Sequence, residues 1–115
     1  MSLKAYKAAQ VATEDPRVTE YRLFGQVTGA LLTAKESNAS GSPLVDAVDW
    51  NRRFWRTLAA DCMDDRNTLT EDVRAKIISL SLWVAKYSRS VTREKAPLDP
   101  LIEINRTIMQ GLQAS

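Results

Sequence analysis

The sequence predicts an all-α fold, a compact single-domain helical bundle of about four main helices plus a short N-terminal helix. Apolar residues recur at steps of three and four along most of the 115-residue chain, as on one face of an amphipathic helix. Sustained period-two alternation, the pattern typical of a half-buried strand, is absent. The length suits one domain over residues 1–115, with a hydrophobic core that needs no disulfide.

The N-terminal part of the chain contains the first two predicted helices. A short helix is expected over residues 3–12, and Asp15-Pro16 then separates it from a longer helix that continues to about Lys35. Aspartate is a good N-cap residue, and proline suits the first helical position because its missing N–H would have no partner there. The apolar row of the longer helix consists of Tyr21, Phe24, Val27 and Leu31.

Small polar residues at about 36–42 are expected to form a flexible surface loop, and Ser42-Pro43 then opens the next helix. That helix ends at residues 64–67, and its apolar row is Leu44, Val48, Asn51, Trp55, Leu58 and Cys62. Asn51 is the polar member of this row. Because a buried amide must find hydrogen-bond partners, we expect Asn51 to bond to a neighbouring backbone.

The next predicted helix starts at Thr70, with an acidic first turn that complements the helix dipole. Thr68 with Glu71 would also fit a capping box, so the start is placed within about two residues. The main apolar row of this helix is Val73, Ile77, Leu80, Val84, Tyr87 and Val91. Ala96-Pro97 ends it, and Asp99-Pro100 begins a last helix with the row Leu101, Ile104, Ile108 and Leu112.

A second apolar row lies nearly opposite the main one on the helix that follows Thr70. It consists of Ala75, Ile78, Leu82 and Ala85. A helix that is apolar on both sides is either central in its bundle or half-covered, with a groove beside it. Central packing is the favoured interpretation, since one helix of a small bundle can be surrounded by the others. The groove is the alternative.

Trp50 falls among charged residues, well away from the apolar row of its helix. It either covers the rim of the core or contacts a partner. Arg52, Arg53 and Arg56 lie near it, and cations beside an aromatic side chain suggest a nucleic-acid interface. Aspartates on the same helix lower the net positive charge of this patch, so a solvated and partly ion-paired face is the favoured interpretation.

The residues that the sequence lacks exclude several classes of chemistry. The chain has no histidine, which excludes His-containing catalytic triads and His-ligated metals. The single cysteine, Cys62, rules out an intramolecular disulfide and is expected to be a small core residue rather than a reactive thiol. The usual nucleotide-binding motifs are also missing. We therefore predict a protein that is not an enzyme and that needs no cofactor and no metal.

The location of the protein is predicted from its apolar segments. The N-terminus has no apolar core of the kind that a secretory signal needs. The longest run without a charge or a helix breaker, residues 77–85, is far shorter than the roughly twenty residues of a membrane span. A soluble, cytoplasmic protein without membrane contact is expected. Its net charge of +2 neither demands nor forbids an anionic partner.

Several strings of residues resemble the bacterial flagellar biosynthesis regulator family FlaF. They are DPR at 15–17, EYRLF at 20–24, QVT at 26–28, AVDWNRR at 47–53, RAKIISL at 74–80 and LIEINRTIMQGL at 101–112. The similarity covers residues 1 to about 112, and the match is poor only over residues 35–43. It implies a cytoplasmic protein of flagellated alphaproteobacteria that is needed for flagellin production or export. The implied partners are flagellin and the companion translational regulator FlbT.

The resemblance suggests a mechanism in which the chain covers an amphipathic terminal helix of unassembled flagellin by helix-in-groove packing. The expected partner contacts are side chains off the core rows: Trp50, Arg53, Ile78, Leu82 and Met109. Direct binding of flagellin mRNA through Arg52, Arg53 and Arg56 is the less favoured alternative. A scaffold for another flagellar regulator is a third possibility. The second apolar row would also suit a homodimer.

Overall fold

The computed structural model describes residues 16–114, and it describes the side chains of residues 19–112. It contains four α-helices: α1 (Pro16–Glu36), α2 (Gly41–Met63), α3 (Glu71–Glu94) and α4 (Asp99–Ala114). The described range contains no strand, which confirms the all-α fold. The short helix predicted over residues 3–12 and the Asp15 cap lie outside the described residues.

Helix α2 is the centre of the arrangement, packing against α3 on one side and against α1 on the other. Ser81 Oγ donates to the Trp55 carbonyl, and Arg74 Nε donates to the Cys62 carbonyl at 2.7 Å, so α2 and α3 run antiparallel. Helix α4 packs mainly on α1 and meets α3 only briefly. No helix within residues 16–114 combines the length and the apolar character needed to cross a membrane.

The predicted apolar rows meet in the core. Phe24 stands edge-on to Phe54 and to Trp55, with ring centroids 4.6 and 5.6 Å apart, and this contact joins α1 to α2. Burial of such large side chains supplies most of the stabilising free energy of a small domain. The row residues with no more than 2% exposure are Phe24, Val27, Leu31, Val48, Asn51, Trp55, Leu58, Cys62, Ile77, Val84, Val91 and Leu101.

A buried polar network lies where α1, α2 and α4 meet. Asn105 Nδ2 donates to Asn51 Oδ1 at 2.8 Å and to Thr28 Oγ1 at 3.1 Å, while Trp55 Nε1 donates to Asn105 Oδ1 at 2.8 Å. The expectation that Asn51 bonds to backbone is therefore wrong. Asn51 belongs to the predicted row of α2, whereas Asn105 lies outside the predicted row of α4, and the packing of the helices brings the two amides face to face. Asn51 Nδ2 has no partner among the described residues.

The helix boundaries agree closely with the predicted ones. Thr70 is confirmed as the N-cap of α3, since its side chain accepts a hydrogen bond from the backbone N–H of Val73. Helix α2 starts at Gly41 rather than at Ser42-Pro43, and its N-cap is Ser40. The connection between α1 and α2 is consequently shorter than the predicted loop. It occupies residues 37–40 and is closed by a bond from the Ala39 N–H to the Ala34 carbonyl.

The second apolar row of α3 is not buried at the centre of the bundle. Leu82 is 72% exposed and Ala75 is also exposed, whereas Ile78 and Ala85 are half-buried. Central packing of α3 was therefore the wrong interpretation. The physical reason is the course of α4, which packs on α1 and leaves the outer side of α3 without a covering helix within residues 16–114.

Candidate functional site

An apolar cleft of about 370 Å³ lies between the first turns of α3 and the last turns of α4. It exists because the apolar rows of the two helices extend beyond the short region where the helices touch. Ile77 is buried at the base of the cleft, Ile108 is half-buried, and Val73 is 39% exposed. Its principal apolar residues are Leu69, Val73, Ile77, Ile108 and Leu112.

The chemistry of the cleft suits an apolar segment of another molecule. Among the described residues that line it, only Lys76 is charged, and the polar remainder includes the hydroxyl groups of Thr68, Thr70 and Thr107. Its volume lies within the range of about 300–1,000 Å³ that is typical of ligand pockets. A concave apolar surface between two helices is the geometry into which an amphipathic helix places its anchoring side chains.

Three of the five predicted contact residues lie on the outer side of α2 and α3. Leu82 is on the uncovered face of α3, with Ile78 one turn before it. Arg53 is exposed on α2, where its Nε lies 3.0 Å from Asp49 Oδ2. None of these side chains is among the described residues that line the cleft.

The other two predicted contacts lie elsewhere. Trp50 is 38% exposed on α2, so its ring does not belong to the buried core. Met109 is half-buried between α4 and α1, where Thr28 Oγ1 donates to its sulfur at 3.9 Å. The five residues thus do not form one continuous surface, and their roles as partner contacts remain predictions.

Four apolar residues of the cleft belong to rows that the sequence predicts as core: Val73, Ile77, Ile108 and Leu112. Leu69 belongs to no predicted row. Val73 and Ile108 follow the same spacing as the buried members of their rows. Position on a helical wheel shows which side of a helix is apolar, but the distance between two helices depends on tertiary packing. A weak indication was the position of Val73 in the first turn of its helix, where burial often ends.

The arginines of α2 are largely engaged with an acidic neighbour. Arg52 and Arg53 both contact the carboxylate of Asp49, at 2.8 and 3.0 Å. The hydrogen bond from Arg52 is the largest cause that lowers the pKa of Asp49. The interpretation of this face as solvated and partly ion-paired is confirmed for these two arginines. Arg56 is exposed on the same helix.

Cys62 is 1% exposed and packs in the hydrophobic core, which confirms its interpretation as a core residue. Burial raises the pKa of its thiol above the usual value. Since the thiolate is the reactive form, both effects slow thiol–disulfide exchange with an external reagent. We expect Cys62 in the folded chain to react with a chromogenic disulfide reagent at pH 8 roughly 100-fold more slowly than in denaturant. Equal rates in the two conditions would show that the thiol is accessible.

The chain was compared with protein families, curated proteins and solved structures. The family model described as "Flagellar protein FlaF" matches residues 2–112 of the chain, which is nearly its full length. No curated protein and no solved structure matches the chain. In the part of the chain that the structure describes, no group of three or more acidic or cysteine side chains is placed to hold a metal ion.

Proposed function

The chain belongs to the FlaF family of flagellar proteins, and we propose that it binds flagellin and supports its synthesis or export as a chaperone-like partner. The observation that carries this proposal is the apolar cleft that the described residues form between α3 and α4. Family membership places the chain in flagellum biology. The cleft supplies a surface that suits a helical partner.

The physical need for such a partner follows from flagellin itself. Its amphipathic terminal helices expose apolar faces before assembly, and exposed apolar faces promote aggregation or premature polymerisation. A helix with anchors at positions i, i+3, i+4 and i+7 presents one apolar side. Docking that side along Val73 and Ile108 would remove it from water until release.

The size of the cleft sets the strength of the complex. A volume of about 370 Å³ accommodates a few anchoring side chains and not a whole helix, so most of the bound segment stays on the surface. Ordering a flexible segment costs roughly 2–5 kcal/mol of the gross interaction energy. A dissociation constant in the micromolar range, about −8 kcal/mol, is the expected result. That affinity allows release when flagellin is exported.

RNA binding remains the second candidate, with Arg56 as the arginine of α2 that forms no salt bridge among the described residues and would contact phosphate. The engagement of Arg52 and Arg53 with Asp49 weakens this candidate, because two of its three cations already have a partner. A scaffold role toward the companion regulator FlbT would require neither flagellin nor RNA.

Calorimetry of the full chain against monomeric flagellin and against its mRNA leader, at about 50 and 200 mM salt, tests the proposal. We expect flagellin binding that persists at the higher salt concentration, since apolar burial is not screened by ions. Leader binding that falls steeply with salt, without flagellin binding, would establish the RNA candidate instead. If neither ligand binds, the proposal fails and FlbT becomes the next ligand to test.

A further inference from the structure

The outer face of α3 carries an unusual order of charged and apolar residues. Helical spacing places one residue per turn on this face: Glu71, Ala75, Ile78, Leu82, Ala85, Arg89 and Arg93. Its N-terminal end is acidic, its middle is apolar and its C-terminal end is basic. No acidic residue occurs between Val73 and Arg93, so the two ends differ clearly in charge.

Four of these side chains, those of Glu71, Leu82, Arg89 and Arg93, are exposed in the part of the chain that the structure describes. Leu82 is the most exposed large hydrophobic side chain in the described residues. Glu71, Arg89 and Arg93 are exposed and form no salt bridge within the part of the chain that the structure describes. An exposed leucine between unpaired opposite charges indicates a surface that is completed by another molecule.

The positions of the charges are symmetric about Leu82. Glu71 and Arg93 each lie 11 residues from it, one before and one after. At a rise of 1.5 Å per residue, both are about 16 Å from Leu82 along the helix axis. If two copies of α3 pack antiparallel with their Leu82 side chains in contact, Glu71 of each copy lies beside Arg93 of the other.

We propose that the protein forms a two-fold symmetric homodimer through the outer face of α3. A two-fold interface uses the same patch on both subunits, so the patch must complement itself. This face does so about Leu82, because its acidic end meets the basic end of the second copy and Leu82 meets Leu82 of that copy. In this register the small side chain of Ala75 lies opposite the long side chain of Arg89 of the second copy.

A nucleic acid fits this face less well. Phosphate would be attracted to Arg89 and Arg93 but repelled by Glu71, and the aliphatic side chain of Leu82 offers no stacking surface for a base.

The dimer does not cover the cleft between α3 and α4. Val73 is nine residues from Leu82, which places it half a turn away, on the opposite side of α3. The dimer and the binding of flagellin are therefore independent proposals.

Sedimentation equilibrium of the full chain between about 1 and 200 μM tests the dimer. We expect concentration-dependent dimerisation of the wild-type chain and at least tenfold weaker self-association of Leu82→Glu. Val73→Glu is the control on the opposite side of the helix and should dimerise like the wild type. A wild-type chain that is monomeric throughout, or a Leu82→Glu variant that dimerises normally, would overturn the proposal.

Charge exchange tests the antiparallel arrangement directly. Glu71→Arg alone and Arg93→Glu alone each place like charges opposite one another twice, so each variant should dimerise at least tenfold more weakly than the wild type. Mixing the two variants creates a heterodimer in which both ion pairs are restored, and association should recover. Failure to recover in the mixture, with both variants folded by circular dichroism, would exclude this arrangement.

Discussion

Replacement of Asn105 with alanine is expected to lower the free energy of unfolding by about 3–5 kcal/mol. Asn105 is fully buried and connects Trp55, Asn51 and Thr28 through three hydrogen bonds. Alanine would leave the indole N–H of Trp55 and the amide oxygen of Asn51 buried without partners. The loss of the amide group would add a cavity at the junction of three helices.

Urea unfolding followed by circular dichroism measures this loss. Gln110→Ala is the matched control, because it removes an amide side chain from an exposed position of the same helix and should change stability by less than about 0.5 kcal/mol. Asn51→Ala should cost less than Asn105→Ala, since Asn51 makes one hydrogen bond in the network. A loss below about 1 kcal/mol for Asn105→Ala would mean that the network contributes little.

Replacement of Val73 with glutamate is expected to weaken flagellin binding at least tenfold, or by about 1.4 kcal/mol or more. The carboxylate would stand in the apolar cleft, where a docking helix would have to remove it from water. Calorimetry with monomeric flagellin measures the change. The variant is informative only if it folds, and the local structure favours folding.

Thr70 caps α3, and Val73 is the third residue of that helix. Glutamate at this position completes a capping box with the threonine, so the variant should be as stable as the wild type. Leu82→Glu is the matched control, since it places the same carboxylate on an exposed apolar site of α3 outside the cleft. Equal weakening by both variants would argue against the cleft as the binding site.

The sequence was sufficient to predict how the helices begin, end and orient their apolar sides. Proline, threonine and aspartate mark starts whose chemistry is local, and rows such as that of Phe24 and Leu31 depend only on the helical period. Both kinds of information lie within a few neighbouring residues. Both can therefore be predicted without knowledge of the tertiary structure.

Features that depend on two helices at once were not predictable in this way. Asn51 stands out as a polar member of an apolar row, but the pattern of one helix does not show that Asn105 faces it from another helix. The exposure of Leu82 and the opening beside Val73 have the same origin. Both result from the path of α4 along α1, which the apolar row of α4 alone does not specify.

Photo-cross-linking from single positions tests the central claim, that the cleft between α3 and α4 holds flagellin. Because Cys62 is buried, a thiol introduced at an exposed position can be labelled selectively with a benzophenone maleimide. Labelled Val73→Cys and Leu82→Cys variants would be irradiated with saturating monomeric flagellin. We expect a flagellin adduct from position 73 and none from position 82, so that flagellin occupies the cleft and not the surface around the sequence-predicted contact Leu82. An adduct from position 82 alone, or from neither, would exclude the cleft as the binding site.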